Sequence, residues 1–325
     1  MSYPHNKIRI SPCGRNDSRW IHQWLVKRYW LLILTACFIA AAPLALAESP
    51  NERWDREAAL SAQSLRAGKF DEAEKHGREA LAAAEAAVGK DHPDYAIALN
   101  NLAAVYSSAG KEAEAIQLLV HVTELFEKHH GPRHAKTAVA LDNLAHAYIR
   151  AGRFDEAQKL IERSLDALRK AHGNQHQDVA VALNNLAYVH AQRRDYVKAE
   201  QLFRESLSIQ RKLHGNAHPE IAVSLFNLGA MLVTRQKYRE AVPLLDEAVK
   251  ISRDGKNTNH RDYPRLLLSL ARANWGLGLY KVADEAYGEA IPLLEKQLGA
   301  GHTSVAAARR QRKELQERAR GERSR

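Results

Sequence analysis

Residues 180–207 are AVALNNLAYVHAQRRDYVKAEQLFRESL, and the motif LNNLA within this stretch recurs along the chain at a fixed distance. Its copies are LNNLA at 99–103, LDNLA at 141–145, LNNLA at 183–187, LFNLG at 225–229 and LLSLA at 267–271. Each copy lies 42 residues after the previous one. Six histidines keep the same step from His92 to His302, and six alanines keep it from Ala73 to Ala283. The chain is therefore an array of one repeated unit.

Each unit contains two apolar patterns with helical spacing. In the unit that begins near Asp94, Leu99, Leu102, Ala103 and Tyr106 follow the i, i+3, i+4, i+7 spacing of one helix face. A second apolar face follows Gly110, and it consists of Ala115, Leu118, Leu119, Val122 and Phe126. Glycines end both patterns, as is common after helix C-termini. The unit is therefore predicted to be a helical hairpin.

One hairpin cannot bury its apolar face alone, so the units are predicted to stack into an all-α solenoid of antiparallel helix pairs. Within residues 48–303 the sequence predicts six hairpins, and residues 304–325 are predicted to form a basic capping helix and tail. The closing helix is expected over Thr303–Arg320, where Arg312 replaces the leucine of the motif. The six hairpins are expected at 52–93, 94–135, 136–177, 178–219, 220–261 and 262–303.

The units resemble tetratricopeptide repeats, which are usually about 34 residues long. With NNLA early in the unit and GxxHP between units, the 42-residue version resembles the kinesin light chain class, and residues 180–207 and 218–248 carry the likeness. The resemblance implies a right-handed superhelix in which the first helix of each hairpin lines a concave surface. It also implies a scaffold that binds a peptide or protein in this groove.

The residues expected to face inward form a stripe on each first helix, which we call the first-helix stripe. It follows positions i, i+4, i+7 and i+11 of the helix, where position i is Ile97, Val139, Val181, Val223 and Arg265 in successive units. The candidate binding residues on the stripe are Asn101, Asn143, His146, Arg150, Asn185, Tyr188, Gln192, Asn227, Arg265 and Arg272.

The stripe contains four asparagines at a constant step, for which two roles are open. An amide offers one acceptor and two donors, so it can bind a peptide backbone of any sequence. The resemblance also implies peptide contacts at this position. Alternatively, each amide bonds to the neighbouring hairpin and fixes its stacking angle. The arginines Arg150, Arg265 and Arg272 would donate forked hydrogen bonds to a ligand carboxylate, or they are simply solvated.

An HGxxH pattern recurs at 130–134, 172–176 and 214–218. Two imidazoles per copy would suit zinc or copper, which makes a metal-handling envelope protein the alternative function. Against a metal site, each pair of histidines lies on either side of a helix-ending glycine, and no acid or thiol is expected to complete the set. The HGxxH histidines are therefore assigned no metal, and the protein is expected to need no cofactor.

The first 47 residues resemble a targeting segment. Six basic residues and one acid precede the uncharged run Tyr29–Ala47, which ends in Ala-Leu-Ala. This pattern predicts a signal peptide cleaved after Ala47 and a periplasmic or secreted protein. Two alternatives are an uncleaved membrane anchor at residues 29–47 and a lipoprotein attached through Cys37, whose flanking LTAC resembles a lipobox. All three place the repeats outside the cytoplasm.

Charge and motif content exclude other functions. The formal charge of +10 comes from the two ends, because residues 48–308 contain 34 basic and 34 acidic side chains. A neutral body is not expected to bind nucleic acid. The sequence contains no HExxH, GxSxG or GxGxxG motif, and both cysteines lie before residue 48. No enzymatic activity is therefore expected.

Overall fold

The computed structural model describes residues 48–255, 257–258 and 262–323, and these residues form 13 α-helices without a strand. The predicted leader (residues 1–47), with the apolar run and Cys37, lies outside the described residues. None of the described helices is both long and apolar enough to cross a membrane. The helices are α1 Pro50–Arg66, α2 Phe70–Val88, α3 Pro93–Ser108, α4 Glu112–His130, α5 Ala135–Arg150, α6 Phe154–His172, α7 Gln177–Gln192, α8 Tyr196–His214, α9 Pro219–Thr234, α10 Tyr238–Asp254, α11 Tyr263–Gly276, α12 Tyr280–Leu298 and α13 Thr303–Arg323.

The helices α1 to α12 pack as six consecutive hairpins, and the second helix of each hairpin also packs on the first helix of the next. Among the first helices, four have 16 residues each, namely α3, α5, α7 and α9. The second helices α2, α4, α6, α8 and α12 have 19. This chain of nearest-neighbour contacts is a solenoid. The all-α prediction is confirmed.

Small and branched residues at equivalent positions form a continuous core. The six alanines at the 42-residue step from Ala73 to Ala283 are completely buried, which lets the helix backbones approach closely. Leu102 and its equivalents Leu144, Leu186, Leu228 and Leu270 are buried as well. Because the hairpins contribute alanine and leucine at equivalent positions, the core continues from one hairpin to the next.

The last helix closes this core with a polar contact. Arg312, which occupies the leucine position of the motif, donates from Nε to Oδ1 of Asp284 at 2.7 Å and from a terminal nitrogen to Oδ2 at 3.0 Å. This bidentate pair lowers the pKa of Asp284. The final helix thus joins α12 through charge as well as through apolar packing.

Two kinds of turn recur among the connections that the structure describes. Within hairpins, Gly110 and Gly152 have φ of +78° and +75°, but the equivalent residues Arg194 and Gln236 keep the same conformation at +64° and +59°. The amide of Asp195 bonds to the His190 carbonyl, as expected when a left-handed residue ends a helix. Between hairpins, the glycines at 89, 131, 173, 215 and 299 combine φ of 72–85° with an extended ψ. Only glycine adopts that combination readily.

Candidate functional site

The first-helix stripe begins with aliphatic side chains that remain accessible to solvent. Ile97 is 48% exposed and Val139 is 51% exposed, although both belong to helices whose other apolar residues are mostly buried. Val181 and Val223, at the same position in the next two units, are partly buried. The first helices of neighbouring hairpins also contact each other at α1–α3, α7–α9 and α9–α11. The stripe is therefore shared by adjacent units.

The asparagines of the stripe differ in what they contact. Asn143 donates from Nδ2 to Oδ1 of Asn100 at 2.9 Å, and Asn185 donates from Nδ2 to Nε2 of His146 at 3.1 Å. Both bonds join adjacent first helices, so these two amides help to hold neighbouring hairpins together. Asn101 is partly exposed, whereas Nδ2 of Asn227 is buried without a partner among the described residues.

The arginines that were candidates for a ligand carboxylate are engaged within the protein. Arg150 donates from Nε to Glu112 Oε1 at 2.7 Å and from a terminal nitrogen to the Ser107 carbonyl. Arg265 lies 3.7 Å from Asp262 Oδ1. Arg272 donates to Gln311 of the last helix. A ligand carboxylate would have to compete with each of these contacts.

The other two candidates, Tyr188 and Gln192, lie on α7 and are partly buried. They are one and two turns beyond Asn185 on the same helix face, so the structure places them in line with the amide. The stripe in this unit therefore consists of a buried amide, an aromatic ring and a second amide.

Burial shifts the pKa of two residues on α5: His146, which belongs to the stripe, and Asp142, which lies beside it. Desolvation lowers the pKa of His146 to about 4, and the nearby Arg150 charge adds to this effect. The ring is thus neutral when its Nε2 accepts from Asn185. One helical turn earlier, burial raises the pKa of Asp142 to about 7, and the Ser164 hydroxyl opposes this only in part. Oδ1 of Asp142 has no hydrogen-bond partner among the described residues.

The histidines at the hairpin junctions have a structural role that the sequence did not predict. The second histidine of each HGxxH copy caps the following helix: Nδ1 of His176, for example, accepts the amide of Asp178 at 3.2 Å. The first histidine stacks on it, with ring centroids 4.8, 4.1 and 4.3 Å apart in the three copies. His260 lies outside the described residues.

The expectation that no acid completes the histidine pairs is wrong for two of the three HGxxH copies. Asp178 follows His176 by two residues, and Glu220 follows His218 by two. In these two copies the acid lies within 4.8 Å of ligand atoms of both histidines. The second residue of the next helix points back to the junction, a proximity that the linear spacing did not reveal.

Comparison with known proteins identifies the repeat. The tetratricopeptide repeat family model matches residues 57–128, 114–170, 136–212, 178–254 and 221–296. The chain belongs to the tetratricopeptide repeat family. No curated protein sequence matches it.

The solved structures that it resembles include other tetratricopeptide repeat (TPR) proteins. The nearly identical TPR-like repeats assigned to a Podosopora anserina kinesin light chain share 25% identity, with a TM-score of 0.52 over 64% of this chain and 98% of that one. BtubC (BKLC) from P. vanneervenii is 19% identical, with a TM-score of 0.55 over 76% and 92%. A Rap protein complexed with Competence and Sporulation Factor is 14% identical, with a TM-score of 0.57 over 82% and 76%. The predicted kinesin light chain-like class and the TPR solenoid fold are confirmed.

Sequence reasoning missed the TPR residues one position before the amides of the stripe. Asn100, Asp142 and Asn184 recur at the 42-residue step, as the LNNLA and LDNLA motifs show. Asn100 accepts the bond from Asn143, and Asp142 and Asn184 are buried. The repeat itself was the available signal, because a polar residue that recurs beside core leucines requires a partner.

Proposed function

We propose that this chain is a non-enzymatic protein–protein interaction scaffold of the cell envelope, and that its first-helix stripe binds an extended peptide or protein segment. The observation that carries the proposal is the exposure of Ile97 and Val139 at equivalent positions beside the amides. Aliphatic side chains one repeat apart, with amides next to them, match the needs of a peptide that buries side chains and bonds through its backbone. A fold neighbour, the Rap protein, is complexed with Competence and Sporulation Factor, which shows that this fold can accommodate a partner.

The amides contribute unequally in this proposal. Asn101 is the strongest candidate for contacting the ligand backbone, because its side chain is partly exposed, whereas those of Asn185 and Asn227 are buried. Asn143 is partly exposed and uses one donor on Asn100, so its carbonyl oxygen remains available for a ligand. Asn185 and Asn227 are buried and contribute mainly through the packing of the hairpins.

A matched pair of substitutions tests the stripe. Peptides selected from a random display library against the full chain provide the probe, and fluorescence anisotropy measures their affinity. The double substitution Ile97→Lys and Val139→Lys should weaken binding by roughly tenfold or more, because each removes an apolar contact worth about 1 kcal/mol. Val197→Lys on α8 is the control, since Val197 is 67% exposed but lies on a second helix. Equal affinity in all three proteins would contradict the proposal.

Asn100 and Asn101 separate the two roles of the amides. Asn101→Ala should weaken binding of the selected peptides by up to roughly tenfold and leave thermal stability unchanged, because only a ligand hydrogen bond is lost. Asn100→Ala should lower the melting temperature, because it removes the acceptor of Asn143. If both variants lose stability and keep their affinity, the amides serve stacking alone.

Export is a separate part of the proposal, with the leader at residues 1–47 as its support. Intact-mass analysis of the protein isolated from its own cells distinguishes the three forms. Cleavage after Ala47 gives a mature chain that begins at Glu48. An N-terminal lipidated Cys37 would indicate a lipoprotein, and an intact leader in the membrane fraction would indicate an anchor. An intact leader in the cytosol would contradict export.

A further inference from the structure

Two hairpin junctions each bring together two imidazoles and a carboxylate. The first set, at the α6–α7 junction, contains His172, His176 and Asp178, and the second, at α8–α9, contains their equivalents 42 residues later, His214, His218 and Glu220. In each set, one ligand atom from every residue lies within 4.8 Å of the other two. We propose that each set binds a divalent first-row transition-metal ion such as Zn²⁺ or Cu²⁺. This inference goes beyond peptide binding and does not depend on it.

The backbone of the repeat builds these sites. The first histidine is the last residue of a helix, and the glycine after it reverses the chain through a positive φ of 77° at Gly173 and 72° at Gly215. The second histidine then caps the next helix, and the acid is the second residue of that helix. Two imidazoles and a carboxylate form a donor set that suits zinc and copper, and a water molecule commonly completes such sites.

The second site contains polar atoms that the protein leaves unused. Oε2 of Glu220 is buried and has no hydrogen-bond partner among the described residues. Nε2 of His214 lies 2.9 Å from Oε1 of Gln177. Because an amide oxygen can only accept, the ring proton of His214 belongs on Nε2, which leaves the lone pair on Nδ1. A hydrogen bond from the opposite ring nitrogen to an oxygen is the usual support of a metal-bound histidine.

Metal binding competes with helix capping at these junctions. Nδ1 of His218 accepts the amide of Glu220 at 3.4 Å, and a neutral imidazole has only one lone pair. A metal ion bound to either ring nitrogen of His218 therefore replaces this hydrogen bond. At 3.4 Å the hydrogen bond is long and hence weak. The positive end of the helix also opposes a cation. We therefore expect the carboxylate to be essential and the affinity to be moderate.

The α4–α5 junction provides a natural control. His130 and His134 stack there as in the other two copies, but the third position is Lys136. Burial and the Lys136 ammonium lower the pKa of His130. An ammonium at the place of the ligand carboxylate repels a metal ion, so this copy should bind none.

A third cluster of possible ligands is occupied by the protein's own cations. Glu57 accepts from Arg56 at 2.7 Å and contacts Nδ1 of His76 at 2.7 Å, while Arg53 lies 3.9 Å from Glu79. Both carboxylates are thus already neutralised. We assign no metal to this cluster.

Titration of Zn²⁺ into the full chain, produced without a polyhistidine tag, tests the proposal by calorimetry. The unaltered protein should bind two ions. His214→Gln and His172→Gln should each remove one, and the double variant should bind none. Neither residue is a helix cap, so the variants should melt like the parent protein in the presence of a chelator.

The junction with lysine gives the complementary test. Lys136→Glu should add a third ion, because it completes the set at His130 and His134. The isosteric pair Asp178→Asn and Glu220→Gln should abolish both natural sites, which provides an independent measurement if a histidine variant fails to fold. The proposal would be overturned if the double histidine variant and the double carboxylate variant both still bound two Zn²⁺ ions. It would also be overturned if Lys136→Glu bound no more Zn²⁺ than the unaltered protein.

Discussion

The polar side chains that connect neighbouring hairpins differ between the first helices and the second helices. The first helices are joined by neutral bonds with little exposure, Asn143 to Asn100 and Asn185 to His146. The second helices are joined by half-exposed ion pairs between residues 36 positions apart. These pairs are Glu127–Arg163, Arg169–Glu205, Arg211–Glu247 and Arg253–Glu289.

The two sets of contacts tolerate change differently. Glu127–Arg163 has the opposite orientation of charge to the equivalent pair Arg169–Glu205, yet both pairs form at similar distances of 2.5 and 2.8 Å. Solvent screens these charges, so either orientation serves. On the buried side, the single exchange of an amide for a carboxylate at Asp142 changes the protonation of the site. A buried polar position of the repeat therefore tolerates fewer residue types than a half-exposed one.

The largest expected effect comes from restoring the amide at Asp142, where two other units have Asn100 and Asn184. Asp142→Asn should raise the free energy of unfolding by ~2–4 kcal/mol at pH 8 and by almost nothing at pH 4. The folded-state pKa of about 7 lies above the ordinary value of 3.8, so the folded protein holds a proton that the unfolded chain releases. Stability is therefore lost as the pH rises through this window. Urea unfolding of both proteins from pH 4 to pH 8 measures the difference.

The reciprocal substitution is the matched control for this prediction. Asn184→Asp should create the same penalty in the next unit, large at pH 8 and absent at pH 4. A difference between Asp142→Asn and the parent protein that stays constant with pH would show that the carboxyl of Asp142 is ionised throughout.

His146 should produce a smaller effect with the opposite dependence on pH. Its folded-state pKa of about 4 lies below the ordinary 6.5, so the unfolded chain takes up a proton that the folded protein excludes. Stability is present above pH 6.5 and is lost as the pH falls towards 4. His146→Gln keeps an acceptor for Asn185 and should be more stable than the parent by ~1–2 kcal/mol at pH 4.5, and nearly equal to it at pH 7.5.

Chemical unfolding at these two pH values measures the effect, and His146→Leu serves as the control. Leucine also removes the titration but leaves Nδ2 of Asn185 without an acceptor, so it should be destabilising at pH 7.5. Parallel stability–pH curves for the parent and the glutamine variant would contradict a His146 that is neutral in the folded protein.

Most of the fold was predictable because the repeat has a constant length. The 42-residue step located the hairpins, the final helix at Thr303 and the turn glycines, since backbone conformation and core packing recur with it. Arg194 and Gln236 are the exceptions at glycine positions. The left-handed conformation there costs a non-glycine residue only about 1–2 kcal/mol, which the rest of the repeat can offset.

The candidate site was predicted less completely, because its state depends on contacts between units. Sequence spacing placed Asn143 and Asn185 on one face but could not show that both donate to the preceding hairpin. It also treated Arg150 as available, whereas Glu112 and the Ser107 carbonyl bind it. The binding role of the stripe remains a prediction, and the proposal rests on the exposed Ile97 and Val139 and on the partly exposed amides of Asn101 and Asn143.

The smallest expected effects belong to the ion pairs of the second helices. Glu205→Arg opposite Arg169 should lower the free energy of unfolding by ~0.5–1 kcal/mol, because a half-exposed attraction becomes a repulsion. Adding Arg169→Glu should restore stability to within ~0.5 kcal/mol, since the resulting orientation is that of Glu127–Arg163. Urea unfolding at low and high salt measures both steps, and the loss in the single variant should shrink in 1 M NaCl. Failure of the double variant to recover would mean that Arg169 and Glu205 contribute through packing rather than through charge.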